Sequence, residues 1–186
     1  MPDISSSVEA LLLTEDLQHQ QLRVLILIGL VSGVPGTGSK LDGLTKLAKL
    51  DFIARYPDLE PSVAKALPGA IPDMTVTTER LLTATPMIRY RYGPWDDRYH
   101  TVIGALVGRG LVRYTRGKRG SVAMSLTAQG GKLMGRLDND PLWRPVTSRY
   151  RTVASRYALF SGNQLKEAIY DALPELLDMP LGRELT

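Results

Sequence analysis

The sequence predicts a mainly α-helical protein with one small β-hairpin, a winged helix-turn-helix followed by C-terminal helices. Three observations predict it. Apolar residues recur at helical spacing through most of the chain. Two short alternating runs flank a glycine-bounded basic turn, Gly117-Lys118-Arg119-Gly120. The order around that turn is helix, strand, hairpin tip, strand, helix. Several families share it, so it identifies a fold better than a function.

Residues 1–14 are polar and Ser-rich and read as a flexible lead-in. Glu15 to Val34 reads as a helix, with Leu17, Leu22, Leu25, Ile26, Ile28 and Leu30 covering most of its circumference. Such a helix belongs at the centre of a core. Gly33-Val34-Pro35-Gly36-Thr37-Gly38 breaks it. Leu41 to Tyr56 forms the second helix: Leu44, Leu47, Leu50 and Ile53 step by three, with Lys46, Lys49 and Arg55 off that stripe. Pro57, Pro61, Pro68, Pro72 and Pro86 exclude a long regular element. Residues 57–86 therefore read as an irregular insertion into a winged-helix domain spanning 15–138, with short helices near Pro61–Leu67 and Thr78–Thr83.

Met87 to Tyr92 alternates as a strand does, and Gly93-Pro94 is expected to turn the chain. Asp96 and Asp97 stand where a helix start favours negative charge. Tyr99, Val102, Ile103, Leu106 and Val107 give that helix its apolar face, and Gly110 ends it. Leu111–Arg116 and Ser121–Leu126 are the hairpin strands, and Thr127 caps a helix running to Leu137. Residues 139–186 form a C-terminal helical extension. It contains an arginine-rich helix near Val146–Leu159 and a second helix capped by Ser161 and interrupted at Pro174. Leu165, Ile169, Leu173 and Leu176 lie on one face of the latter, a stripe that fits either docking on the core or facing a partner.

The chain has 186 residues, 44% hydrophobic and 23% charged, as ordinary globular proteins do. With no cysteine, disulfides, thiolate zinc sites and cysteine nucleophiles are excluded. No secretory pattern opens it, and the run Val24–Val34 is shorter than the roughly 20 residues that span a bilayer. The expectation is a cytoplasmic protein without membrane contact. The net charge of +4 is uneven. Residues 1–86 carry 7 Lys+Arg against 10 Asp+Glu, residues 87–156 carry 14 against 4, and residues 157–186 carry 2 against 5. The middle stretch has the concentrated positive field that attracts polyanions.

Gly33 to Lys40 nearly spells a nucleotide phosphate loop. That chemistry needs lysine directly after the last glycine and a hydroxyl residue next. Here Ser39 intervenes, Leu41 takes the hydroxyl position, and the preceding run is helical. We read the stretch as a helix connector and expect no cofactor. Asp96 and Asp97 with His100 could hold a metal, but capping of a helix start accounts for the acids more simply. No nucleophile or acid–base constellation appears, so the expectation is a non-catalytic protein. Lys118, Arg119, Arg113, Arg116, Arg89, Arg91, Arg98 and Tyr99 are the candidate nucleic-acid contacts, with Arg109 beside them. Asp96 and Asp97 at the start of the would-be recognition helix argue for phosphate contacts over base reading.

Two segments carry a family resemblance. Lys46-Leu47-Ala48-Lys49-Leu50-Asp51-Phe52-Ile53-Ala54-Arg55-Tyr56-Pro57 resembles the signature helix of the middle components of ABC three-component (Lamassu-type) anti-phage systems. Met87-Ile88-Arg89-Tyr90-Arg91-Tyr92-Gly93-Pro94-Trp95-Asp96 resembles that family's segment before its winged-helix core. The resemblance covers roughly residues 40–177. It implies a non-catalytic accessory subunit bridging an SMC-like ABC ATPase and an effector subunit, with double-stranded DNA as a further partner. It also implies that Leu165, Ile169, Leu173 and Leu176 bind a partner, and that the helix after Asp96 faces a protein. The alternative is a freestanding, dimeric winged-helix transcription regulator.

Overall fold

A helix with no polar face has to lie inside the protein, and α1 (Ile4–Gly33) does: Val24 to Ile28 and Val31 are at most 1% exposed. The structure is a computed structural model and describes residues 4–70 and 86–185. These residues are mostly helical, with a small antiparallel sheet. α1 begins at Ile4, so it takes in most of the segment expected to be a lead-in. Around it pack α4 (Tyr99–Gly108), α5 (Ala128–Asn139) and α6 (Arg144–Tyr157). No described helix is long and apolar enough to cross a membrane.

The expected hairpin is present as β4 (Val112–Arg116) and β5 (Val122–Leu126), joined by a single 3-10 turn over Lys118–Gly120. A third strand, β1 (Leu41–Asp42), extends the sheet in the order β1-β5-β4, with Leu41 opposite Met124 and Val112 opposite Leu126. Leu41 and Asp42 were expected to begin the second helix. Gly43 has φ 91°, outside the helical range, and so delays α2 to Leu44–Arg55. Within the insertion, α3 (Glu60–Ala66) forms near the place expected. The short helix expected at Thr78–Thr83 lies outside the described residues.

α2 differs most from expectation. Lys46 to Arg55 are all buried, including the lysines and arginine placed off the apolar stripe. α1, α6, α7 (Gly162–Ala172) and the hairpin of β2 (Ile88–Tyr90) with β3 (Gly93–Trp95) enclose it. Buried charge needs internal partners, and here it has them. Arg55 pairs with Asp96 at 3.0 Å and with Asp51 at 3.4 Å. Asp51 accepts hydrogen bonds from the hydroxyls of Tyr99 (2.6 Å) and Tyr150 (2.5 Å). Asp96 accepts from Gln20 on α1 and from Arg98, which also reaches Asp16. Lys49 donates to the Pro94 carbonyl at 2.8 Å.

The β2–β3 turn is made by Arg91 and Tyr92, and Gly93-Pro94, expected to turn, lies in β3. Gly93 is needed there for its φ of 94° and for space, because a Cβ would stand 3.3 Å from the Lys49 ammonium. A third buried acid, Glu60, takes Arg149, Arg156 and the Tyr157 hydroxyl, which ties α3 to α6. α7 opens with the expected Ser161 cap, a full capping box with Gln164. Pro174 starts α8 (Glu175–Asp178). The stripe assigned to partner binding is core: Leu165 and Ile169 are 0% exposed, Leu176 is 3% exposed, and Leu173 packs half-buried against them. Leu165 and Ile169 lie on the apolar face of α7, which packs on α2 and α3, and Leu173 and Leu176 follow at its end and in α8.

Two outcomes follow from these buried charges. Burial pushes the Asp96 carboxyl up, but hydrogen bonds and charge from Arg98, with the charge of Arg55, hold it at about 2. Asp96→Asn would leave the Arg55 guanidinium buried with one fewer acid, and should cost about 3–5 kcal/mol of unfolding free energy in a urea titration. Burial, then the charge of Lys166, lowers Lys49 to about 7. The unfolded chain keeps that proton to about pH 10.4. Between those values the unfolded state binds more protons, so stability should rise with pH by up to about 1.4 kcal/mol per unit. Lys49→Met should flatten the rise. Tyr99 and Tyr150, raised by burial and then by Asp51, oppose it only above about pH 10.

Candidate nucleic-acid interface

β4 and β5 pair over their whole length, with Arg113 opposite Ser125 and Arg116 opposite Val122. Arg113, Tyr114, Arg116 and Lys118 are all exposed, Tyr114 by 54%. Arg113 donates through Nε to the Ser125 hydroxyl on the facing strand at 3.2 Å. Neither Arg113, Arg116 nor Lys118 forms an ion pair with a described acid. The structure gives no account of the Arg119 side chain, whose backbone lies in the tip.

The tip is fixed by one acid of the neighbouring strand. Asp42 on β1 accepts from the Lys118 amide at 3.1 Å and from the Ser121 hydroxyl at 2.8 Å. The Gly117 amide donates to the Ser121 carbonyl at 2.7 Å, and Lys40 donates to the Arg116 carbonyl at 2.8 Å. A Cβ on Gly117 would collide with Asp42 and Ser121, so only glycine allows the chain to pass there. Leu111 carbonyl likewise fills the space that a side chain at Gly130 would need, locking α5 onto the α4–β4 corner.

The eight candidate contacts do not form one surface. Arg113, Arg116 and Lys118 stand together on the hairpin. Tyr99 does not belong with them: it is 0% exposed and its hydroxyl is spent on Asp51. Arg98 is half-buried and bound to Asp96 and Asp16. Arg89 and Arg91 lie on the separate two-stranded sheet, where Arg89 donates to the carbonyls of Leu176 and Leu177 and Arg91 stacks over Tyr92. Alternation of arginine and tyrosine in the sequence is the same for a free basic strand and for one tied to helix ends, and here the C-terminal residues claim Arg89.

Asp96 points inward and is 3% exposed, so the charge of the wrong sign expected at the start of α4 is reduced to Asp97. The exposed positions of α4 are His100, Thr101, Gly104 and Gly108, with Arg109 at its end. That face has few side chains able to read bases. No group of three His, Asp or Glu suited to a metal occurs among the described residues, and Asp96 is committed to two arginines. Sequence reasoning passed over Lys132 and Arg136, both exposed on α5. A simple signal marks them: from Arg98 to Leu137 the chain has Arg98, Arg109, Arg113, Arg116, Lys118, Arg119, Lys132 and Arg136 and no acidic residue.

No family model, curated protein or solved structure matches this chain. The hairpin tip offers a direct check on its own geometry. Gly117→Ala should displace the tip from Asp42, visible as loss of slow exchange at the Lys118 and Gly117 amides, while the melting temperature changes little.

Proposed function

We propose that this chain is a non-catalytic winged-helix protein that holds double-stranded nucleic acid by its phosphates through the β4–β5 hairpin, as an accessory subunit of a larger assembly. The observation that carries the reading is the exposed cation set Arg113, Arg116 and Lys118 on a ribbon whose tip is pinned by Asp42. Rigid cations at a ribbon's end suit phosphate contact, which gives affinity without sequence selectivity. The arrangement supports a winged helix. α1, α2 and α4 surround the core, and β1 joins the hairpin in the order β1-β5-β4. The insertion and the β2–β3 hairpin separate α2 from α4. The sparse outer face of α4 favours shape and charge recognition over base reading.

The accessory role rests on the resemblance to the Lamassu-type middle components, with an SMC-like ABC ATPase and an effector as partners. Its two segments meet in the fold: Lys49 binds the Pro94 carbonyl and Arg55 pairs with Asp96. The resemblance therefore falls on a structural joint, and the partner surface lies elsewhere than Leu165, Ile169 and Leu176. Co-purification with an ATPase would support the subunit role, and a stable homodimer free of other chains would favour a transcription regulator.

Nucleic-acid binding is tested by fluorescence anisotropy with duplex DNA across a salt series. Each phosphate contact contributes about 0.9 to the slope of log K against log salt. Replacing Arg113, Arg116 and Lys118 together by Ala should lower the slope by about 2–3. Affinity indifferent to salt, or unchanged in the triple variant, would remove the hairpin from the function.

A further inference from the structure

A cleft of about 530 Å³ opens between the α1–β1 connector, the start of α2, the hairpin tip and the α6–α7 corner. Its polar end is lined by Lys46 and Thr45 of α2 and by Lys118 and Ser121 of the hairpin. Lys46 is 8% exposed, and its ammonium donates to the Ala158 carbonyl, one acceptor for a group with three N–H donors. Burial, followed by the charge of Lys118, lowers the Lys46 pKa. Asp42 offsets part of this charge but is already occupied by the Lys118 amide and the Ser121 hydroxyl. Beside them α2 begins at Gly43 without a side-chain cap.

The wall contributed by the α6–α7 corner is in part apolar. Leu159 is 67% exposed and rests against Gly36, where an added Cβ would lie 3.1 Å from it, and Phe160 adjoins it in the same wall. Gly162 lets the start of α7 approach α2 closely, since a Cβ there would stand 2.9 Å from the Lys46 backbone nitrogen. The volume lies within the range of about 300–1,000 Å³ typical of small-molecule sites.

We propose that this cleft binds a nucleoside phosphate, its phosphate held by Lys46 and Lys118 and its base lying against Leu159 and Phe160. Two cations from different elements with N–H donors to spare favour an anion, and the adjoining exposed apolar wall favours a ligand carrying a flat ring over a bare inorganic ion. The site does not revive a triphosphate loop: the connector contributes Gly36 and Thr37 to the wall, while Lys40 is turned away to the Arg116 carbonyl. Because Lys118 belongs to the hairpin and Phe160 to the α6–α7 corner, an occupied cleft would fasten the hairpin to the C-terminal helices. The site shares Lys118 with the hairpin read as a nucleic-acid surface, but Lys46, Leu159 and Phe160 lie outside that surface, so either reading can fail alone.

The test follows backbone amides of the full chain by NMR during titration with AMP, inorganic phosphate and duplex DNA. AMP should shift Thr45, Lys46, Lys118 and Phe160 saturably. Inorganic phosphate should shift the first three more weakly and leave Phe160 unmoved. Lys46→Met should weaken AMP at least about tenfold, with duplex affinity retained. Leu159→Asp, at an exposed position, should do the same without burdening the fold and stands in if Lys46→Met does not fold. Absence of saturable shifts with AMP, shifts at these amides with duplex DNA alone, or AMP affinity unchanged in Leu159→Asp would each overturn the proposal.

Discussion

The pairing of Arg55 with Asp51 and Asp96 inside the protein is the constraint on which the rest of the structure depends. Arg55 and Asp51 are on α2, and Asp96 stands at the entry to α4. Tyr99 of α4 and Tyr150 of α6 close the Asp51 carboxylate, and Gln20 of α1 closes Asp96. Burial works against the Arg55 charge, but Asp51, followed by Tyr99, Tyr150 and Asp96, together more than compensate, so the guanidinium stays protonated at any working pH. Four helices thus meet at one set of charges. Such a set is costly to break from one side, because the remaining charge stays buried. These bonds fix which face of α2 meets α1, α4 and α6.

That joint decides what α4 and the hairpin can present. By drawing Asp96 and Tyr99 inward and engaging Arg98, it leaves Asp97 as the exposed acid at the start of α4 and ties up the nearest cation. The hairpin, one corner further on, is anchored by different means: Leu111 against Gly130, and Asp42 against the tip. Its cations have no acid to bind within the described residues and remain available to a polyanion. Burial of charge in one place and its exposure in the other are two results of the same arrangement.

The cleft between the hairpin and the α6–α7 corner adds a route by which these parts can influence each other. β1 supplies Asp42 to the tip, and α2 supplies Lys46 to the cleft, two elements separated by Gly43 alone. A ligand bridging Lys46 and Lys118 would act on the hairpin's position through a charge that the hairpin also offers outward. The C-terminal helices are then more than an appendage, since they complete the wall against which such a ligand rests.

The sequence by itself determined the elements whose signal is local. Helical periodicity marked α1, α4 and α5. The glycines around Lys118 and Arg119 marked the hairpin, and Thr127 and Ser161 marked two caps that the structure forms. Local propensity and capping act within a few residues, so they can be read without a fold. Tertiary structure decided which charges are free. Lys49, Asp51, Arg55 and Asp96 have the composition of a solvated face, yet they meet partners up to 99 positions away. Arg89 and Arg113 look equivalent along the chain, but one is captured by the carbonyls of Leu176 and Leu177 while the other stays on an open ribbon. Burial of a charge depends on which distant groups surround it, and no window of sequence contains that information.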